Sequence, residues 1–319
     1  MPAMKNFPTL IEKALINIFF TFIISMPANA RLVSENQLFR SIPFSLRDSD
    51  KPMIAVTIGE KKGVVMFDNG TPDAVFLNRD ALSLPESKVI STGFTASGQF
   101  IEVKEHPAPL IKISGQKLPV TKSIRSGNFG FTSNSLGNDF LGFIGKKLID
   151  KNAFILDFKR YQLLIFKTGR DGSILISSPR NSDISISIPF TTANDALPTV
   201  KGILGGSPIL IDFDTGDSGT LYVTDNEREM LINKNILVNS GNRWKLQRFS
   251  IGEVTFQSTI INIIITGSVH DHRTINKNNQ LRLGSNFLSR HPSIINFANQ
   301  TLTILKPRNR FLEKLPISD

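Results

Sequence analysis

Two segments of this chain each carry an aspartate directly after an apolar run and two residues before a glycine. In residues 63–72, Gly-Val-Val-Met-Phe leads into Asp68, and in residues 208–219, Pro-Ile-Leu-Ile-Asp-Phe leads into Asp214. Two neighbouring carboxylates cannot both ionise easily, so one keeps its proton while the other is charged. If the fold brings the two copies face to face, Asp68 and Asp214 supply a general base and a general acid at one point.

A second landmark follows each of these segments at a fixed spacing. Gly145 precedes Asp157 by 12 residues, and Gly284 precedes Asn296 by the same 12 residues. Each landmark glycine follows an apolar residue, and each half closes on a short apolar run that ends in lysine. The shared register indicates an internal repeat.

With these landmarks, residues 52–168 and 196–306 resemble the pepsin and retropepsin superfamily of aspartic proteases. The lobes of those proteins carry apolar-apolar-Asp-Thr/Ser-Gly and a later apolar-Gly. The resemblance implies an all-β, bilobal pepsin/retropepsin-like acid protease fold with few short helices and two pseudo-symmetric β-barrel lobes. It also implies an aspartic endopeptidase without a cofactor, which takes a peptide or protein substrate in the cleft between the lobes.

The same resemblance gives roles to the turn residues beside the aspartates. Thr215 turns its hydroxyl to the backbone of the opposing loop and locks the two turns together. Gly70 and Gly216 let the backbone pass close beneath the carboxylates and donate N–H groups to them. Thr71 fits the next position, whose hydroxyl hydrogen-bonds the carboxylate.

Two residues depart from the family pattern. Asn69 stands where threonine or serine is expected, so a bulkier amide replaces a hydroxyl and can shift the geometry between the loops. Asp217 stands where a small or hydroxylated residue is expected. Pointing inward, it adds negative charge and raises the pKa of the pair; pointing outward, which we prefer, it is only a turn residue. Because catalysis tolerates little misplacement, the alternative function is a non-catalytic pseudo-protease, a peptide-binding or envelope scaffold protein.

Strand signals dominate the rest of the chain. Mostly alternating β-rich runs at residues 54–58, 110–114, 184–188 and 249–256 predict a mostly β protein. Residues 91–103 place two glycines between strand signals and predict a hairpin. The resemblance makes this hairpin a flap over bound peptide, with a plain surface hairpin as the alternative. The predicted flap residues are Phe94, Thr95, Ala96, Ser97, Gly98 and Phe100.

The amino terminus predicts a secreted or periplasmic protein. An apolar run at residues 14–26 precedes Pro-Ala-Asn-Ala, a small-x-small cleavage pattern, and is short for a membrane-spanning helix. A cleavable signal peptide is favoured over an uncleaved anchor, and no later segment predicts a stable membrane span. The predicted ranges are signal peptide 1–30, N-terminal arm 31–50, first lobe 51–168, linker 169–194, second lobe 195–306 and C-terminal tail 307–319.

Composition argues against several other classes of protein. The net charge of +10 comes from scattered basic residues without an aromatic ladder, so a nucleic-acid partner is not predicted. The absence of cysteine excludes a thiol nucleophile and a cysteine-ligated metal. Because one chain contains both half-sites, we expect a monomer rather than a dimer of single lobes.

Two weaker motifs remain. Residues 216–219 spell Gly-Asp-Ser-Gly, the nucleophile motif of trypsin-like serine proteases, and His106 lies upstream, but the flanking residues of that family are missing. His270 and His272 flank Asp271 without a recognisable third ligand. We therefore predict no metal site.

Overall fold

The computed structural model describes residues 39–48, 51–95, 98–120, 122–192, 197–268, 271 and 280–315. Strands dominate this part of the chain. In chain order they are β1 (Phe39–Pro43), β2 (Ser45–Arg47), β3 (Lys51–Ile58), β4 (Lys61–Phe67), β5 (Val75–Asn78), β6 (Val89–Phe94), β7 (Phe100–Pro107), β8 (Ile111–Ile113), β9 (Gln116–Lys117), β10 (Ser123–Gly127), β11 (Phe140–Ile144), β12 (Ala153–Asp157), β13 (Gln162–Phe166), β14 (Ile184–Pro189), β15 (Thr199–Leu204), β16 (Ser207–Phe213), β17 (Thr220–Val223), β18 (Leu237–Ser240), β19 (Arg243–Ile251), β20 (Val254–Ile265), β21 (Gln280–Leu283), β22 (Ser293–Asn296) and β23 (Thr301–Leu305).

The helices of the described residues are few and short. The α-helices are α1 (Ser133–Leu136), α2 (Asp225–Asn233) and α3 (Ser285–Leu288), and the 3₁₀ turns are Gly130–Thr132, Lys146–Leu148, Asn181–Asp183 and Leu312–Lys314. The prediction of an all-β protein with few short helices is confirmed. None of the helices in the described ranges is both long and apolar enough to cross a membrane.

The described strands form three sheets. The first half builds a sheet in the order β6-β7-β10-β5-β11-β4-β3-β8-β9, with β2 paired to β3. The second half builds the order β15-β16-β21-β17-β20-β19-β18, and β15 also pairs with β19, so this sheet closes on itself as a barrel does. A six-stranded sheet, β1-β13-β12-β22-β23-β14, contains strands from both halves, which meet where β12 pairs with β22.

Each half places its aspartate by the same arrangement of strands. In the first half, β4 lies between β3, which is antiparallel to it, and β11, which is parallel. In the second half, β16 lies between antiparallel β15 and parallel β21. The Asp68 N–H donates to Ile144 O at 2.9 Å and the Asp214 N–H donates to Leu283 O at 3.0 Å. Each aspartate is therefore fixed where a buried strand leaves its parallel neighbour.

The landmark glycines are explained by close backbone packing behind the turns. A Cβ at Gly145 would lie 2.2 Å from Thr71 O, and a Cβ at Gly284 would lie 1.9 Å from Asp217 O. Any side chain there would push the aspartate turn out of place, because a backbone oxygen cannot yield like a flexible side chain.

Asp157 and Asn296, each 12 positions after its landmark glycine, accept backbone hydrogen bonds in equivalent turns. Asp157 Oδ1 accepts backbone N–H groups at 3.0 and 3.2 Å in the turn from β12 to β13. Asn296 Oδ1 accepts N–H groups at 3.0 and 3.4 Å in the turn from β22 to β23. A carboxylate and an amide oxygen are interchangeable acceptors in such turns, which explains why the repeat keeps its spacing while the residue changes.

Three ranges outside the repeat contribute to the six-stranded sheet or its cover. The range predicted as an arm contains β1, which pairs with β13, and the range predicted as a linker contains β14, which pairs with β23. In the predicted tail, Phe311 and Leu312 are buried and join a cluster with β12 and β13 residues. These segments belong to the folded structure.

Candidate active site

The structure brings Asp68 and Asp214 together at the ends of β4 and β16. A Cβ built on Gly70 would lie 3.1 Å from Asp68 Oδ1 and 3.6 Å from Asp214 Oδ1, and a Cβ on Gly216 would lie 2.6 Å from the carboxyl carbon of Asp68. A side chain at Gly216 would displace the Asp68 carboxylate, and one at Gly70 would lie tightly against it. Gly70 N–H donates to Asp68 at 2.8 Å and Gly216 N–H donates to Asp214 at 2.9 Å, so both predicted glycines touch the carboxylates.

The two turns are held together by a buried set of hydrogen bonds between Asn69 and Thr215. The hydroxyl of Thr215 accepts the Asn69 N–H at 3.0 Å and donates to Phe67 O at 3.1 Å. In return, the Asn69 side-chain oxygen accepts the Thr215 N–H at 2.8 Å, and its side-chain nitrogen donates to Phe213 O at 2.9 Å. We call these four bonds the Asn69–Thr215 lock.

The Asn69 amide forms hydrogen bonds across the two turns in place of the expected hydroxyl. Thr215 uses one oxygen both as acceptor and as donor, whereas Asn69 divides the same two tasks between its amide oxygen and its amide nitrogen. The Asn69 side chain is fully buried, with 0% exposure, so all of its polar atoms need partners inside the protein. From each side, the lock satisfies the equivalent pair of backbone groups of the opposing turn: the N–H of Asn69 and the carbonyl of Phe67, or the N–H of Thr215 and the carbonyl of Phe213.

Thr71 supports Asp68 as the sequence predicts, but Asp217 does not point outward. The Thr71 hydroxyl donates to Asp68 Oδ2 at 2.8 Å. Asp217 accepts the Gly219 N–H at 2.6 Å and lies 3.9 Å from a guanidinium nitrogen of Arg282. The preferred outward orientation is wrong, because Arg282 gives the Asp217 carboxylate a cationic partner inside the protein.

Arg282 is the site residue that sequence reasoning missed. It lies in β21, one position before Leu283, and its side chain is 8% exposed. Its Nη1 lies 3.5 Å from Asp214 Oδ2. The sequence did contain a signal for it. Arg282 is charged where the first half has the apolar Phe143, and Asp217 is acidic where the family pattern has a small or hydroxylated residue. Two unexpected residues of opposite charge can indicate an ion pair.

Burial and neighbouring charge shift the titration of Asp214. Burial and then the charge of Asp68 raise the pKa of Asp214 to about 7; Arg282 opposes the increase, Asp217 adds to it, and the Gly216 N–H opposes it. Burial lowers the pKa of Arg282, but the surrounding groups, with Asp214 first, raise it by more than burial lowers it. The net pKa shift is therefore upward, and the guanidinium stays charged.

The raised pKa of Asp214 predicts how stability depends on pH. The folded protein holds a proton that the unfolded chain releases near pH 4, so this stabilisation is complete below that pH and is lost as pH rises through about 7. We expect Asp214→Asn to remove this loss, which is on the order of a few kcal/mol in the free energy of unfolding. Urea unfolding from pH 4 to pH 8 measures it.

The variant is compared with wild type because His291 also changes the free energy of unfolding with pH. Over part of this range its contribution has the opposite sign to that of Asp214. Burial and Arg290 lower the pKa of His291, so its contribution favours folding as pH rises. Asp150→Asn, which changes an exposed carboxylate, is the matched control. Equal pH dependence in wild type and Asp214→Asn would contradict the assignment.

The predicted flap is a hairpin of β6 and β7 in the first-half sheet. Phe94 and Phe100 face each other across it at 5.7 Å between ring centroids and are 63% and 50% exposed. The Gly98 N–H donates to Thr95 O at 2.9 Å and closes the tip. Ala96 and Ser97 lie outside the described residues.

The weaker motifs gain no support. Both ring nitrogens of His106 lie 2.8 Å from other partners, Pro85 O and Ser126 Oγ, so neither serves Ser218 as a catalytic base. His270 and His272 lie outside the described residues. Within the described ranges, no group of three or more His, Cys, Asp and Glu side chains is arranged to hold a metal ion.

Comparisons with known proteins place the fold. No family model matches the sequence, and no curated protein sequence matches it. In structure the chain is similar to the crystal structure of aspartic proteinase from Irpex lacteus, with a TM-score of 0.52 and 14% sequence identity, over 84% of this chain and 97% of that chain. The likeness shows that the chain has a pepsin-like fold, and it shows the fold alone.

Proposed function

We propose that this protein is an aspartic endopeptidase. The observation that carries the proposal is the pair of Asp-x-Gly turns, which the Asn69–Thr215 lock holds so that both carboxylates flank one point. Two carboxylates in that arrangement can activate water at neutral or acidic pH without a covalent intermediate.

The environments of the two carboxylates favour different roles. Asp214 is 7% exposed and its pKa is raised to about 7, so it holds the shared proton and acts as the acid toward the peptide carbonyl oxygen. Asp68 is only half-buried, and its two carboxylate oxygens accept hydrogen bonds from the Gly70 N–H and the Thr71 hydroxyl. Asp68 then takes the proton from the attacking water.

The same proposal includes the substrate, partner and compartment. An extended peptide or unfolded protein lies in the cleft between the two halves, one chain supplies the complete site, and the signal peptide at residues 1–30 directs the protein to the periplasm or the exterior. No cofactor enters this mechanism.

Cleavage of unfolded casein by the purified protein between pH 3 and pH 8 tests the proposal. We expect cleavage that pepstatin, an inhibitor of aspartic proteases, suppresses. Absence of cleavage over the whole range would sink the proposal and favour the non-catalytic, peptide-binding alternative. Binding of an uncleaved peptide, measured by fluorescence polarisation, would then support that alternative directly.

The flap contributes to substrate binding in this proposal. Because Phe94 and Phe100 expose their rings, replacing both with serine is expected to raise KM for an apolar peptide by about 10-fold, since about 1.4 kcal/mol of apolar contact is lost. Thermal unfolding should change little. Phe131→Ser, which removes another exposed ring outside the hairpin, is the control; an unchanged KM in the double variant would contradict the role of the flap.

A further inference from the structure

The two halves differ in how they support the outer oxygen of their aspartate. In the first half, Thr71 donates its hydroxyl to Asp68 Oδ2 at 2.8 Å. The equivalent residue of the second half, Asp217, cannot donate when it is ionised. Its carboxylate instead accepts the Gly219 N–H at 2.6 Å and the Thr220 hydroxyl at 3.1 Å.

A second difference lies on the neighbouring strand and compensates for the first. Phe143 pairs with Met66 in β4, and Arg282 pairs with Asp212 in β16, so Phe143 and Arg282 occupy equivalent positions. The apolar side chain of the first half is thus replaced by a cation. Its Nη1 lies 3.5 Å from the outer oxygen of Asp214, which accepts no hydroxyl from the residues that the structure describes.

We infer that Arg282 and Asp217 act as one unit that positions the Asp214 carboxylate. Arg282 places from β21 a positive charge beside Asp214, where Thr71 donates a hydroxyl to Asp68 in the first half. Asp217 lies 3.9 Å from the same nitrogen and balances the charge of the guanidinium. The role rests on the proposed function, in which Asp214 takes part in catalysis. Arg282 and Asp217 are positioning residues, because they act through Asp214.

The surrounding charges show why both members are needed. Asp214, Asp217 and Asp212 face this cation from the second turn and from β16, and the Tyr222 ring lies 5.7 Å from it on β17. Asp68 adds its charge beside Asp214. Asp212 has other donors, since Thr199 donates to it at 2.7 Å and Gln280 also donates to it. Lys51 donates to Gly216 O at 2.5 Å. Loss of Arg282 would leave the buried Asp214 and the partly buried Asp217 as neighbouring acids without their cation.

Two single variants and their combination test the unit. Arg282→Met removes the cation, and Asp217→Thr restores the residue type of the first half. The pH profile of kcat should shift its alkaline limb upward by about one unit in Arg282→Met and downward by about one unit in Asp217→Thr, because the first change removes a positive neighbour of Asp214 and the second a negative one. A role confined to packing would not produce opposite shifts.

The double variant is expected to recover activity. Arg282→Met should lower kcat/KM by about 100-fold, as loss of a positioned electrostatic partner does. The double variant, with a hydroxyl beside Asp214 and no unpaired acid, should return to within about 10-fold of wild type. Arg308→Met, which removes an exposed cation, is the control for charge. Shifts in the same direction, or losses that multiply in the double variant, would overturn the inference.

A readout without catalysis separates this inference from the proposed function. If the wild type cleaves nothing, the protease proposal fails, but carbon-13 NMR titration of the Asp214 carboxyl still reports the two opposite pKa shifts. Unchanged titration would overturn the unit itself. If Arg282→Met does not fold, Arg282→Lys keeps the charge but replaces the planar fork with a single ammonium, and should retain the pKa of Asp214 while lowering kcat.

Discussion

Asp214→Asn is expected to lower kcat/KM for peptide hydrolysis by about 10⁴-fold. The amide has the size of the carboxyl but can neither share the proton of the pair nor donate it to the substrate oxygen. The loss should appear in kcat, since the substrate cleft is unchanged. Turnover of a quenched fluorescent peptide, at the pH optimum of the wild type, measures it.

The controls for this result separate chemistry from folding. Asp68→Asn should cause a loss of similar size, because the base is as necessary as the acid, and Asp150→Asn should retain full activity. Circular dichroism of both site variants should match wild type, since Asn keeps the acceptor oxygen that the Gly216 or Gly70 N–H requires. Activity of Asp214→Asn within 10-fold of wild type would place the reaction elsewhere.

Asn69→Leu is expected to lower the free energy of unfolding by about 3–5 kcal/mol. Leucine has a similar size but leaves the Thr215 N–H and the Phe213 carbonyl buried without partners, and each such group costs about 1–3 kcal/mol. Cleavage should fall with stability, because the two aspartate turns are no longer tied. Urea unfolding monitored by fluorescence gives the difference in stability.

Asn69→Thr is the informative companion to this variant. A threonine hydroxyl can accept and donate with one oxygen, as Thr215 does from the other side, so stability should stay within about 1 kcal/mol of wild type and activity should persist. Asn233→Leu, at an exposed position in α2, controls for the substitution itself. If Asn69→Leu is as stable as wild type, the lock does not hold the turns.

Local patterns were sufficient to predict the repeat and its aspartates. Each half needs an apolar strand before its Asp-x-Gly turn. Each half also needs a glycine where a backbone oxygen leaves no room for a Cβ. Both constraints act within one half, so the spacing of residues such as Asp68, Gly145 and Gly284 indicates them. The all-β class follows from alternation in the same way.

Contacts between distant segments were not predictable from those patterns. Whether Asn69 fits depends on the carbonyl and N–H groups of the opposing turn, 144 and 146 residues away in the chain. The inward orientation of Asp217 depends on Arg282, a partner on another strand. Likewise, β14 lies within the range predicted as a linker and pairs with β23. Local composition does not predict this pairing, because tertiary context decides which strands pair.

The unequal composition of the Asn69–Thr215 lock means that the two halves are no longer interchangeable. A symmetric dimer of the first half would crowd two amides into the space that an amide and a hydroxyl now share, and a dimer of the second half would bring two copies of the Arg282 ion pair to one centre. The two halves are therefore complementary, because one turn supplies the amide and the other supplies the hydroxyl.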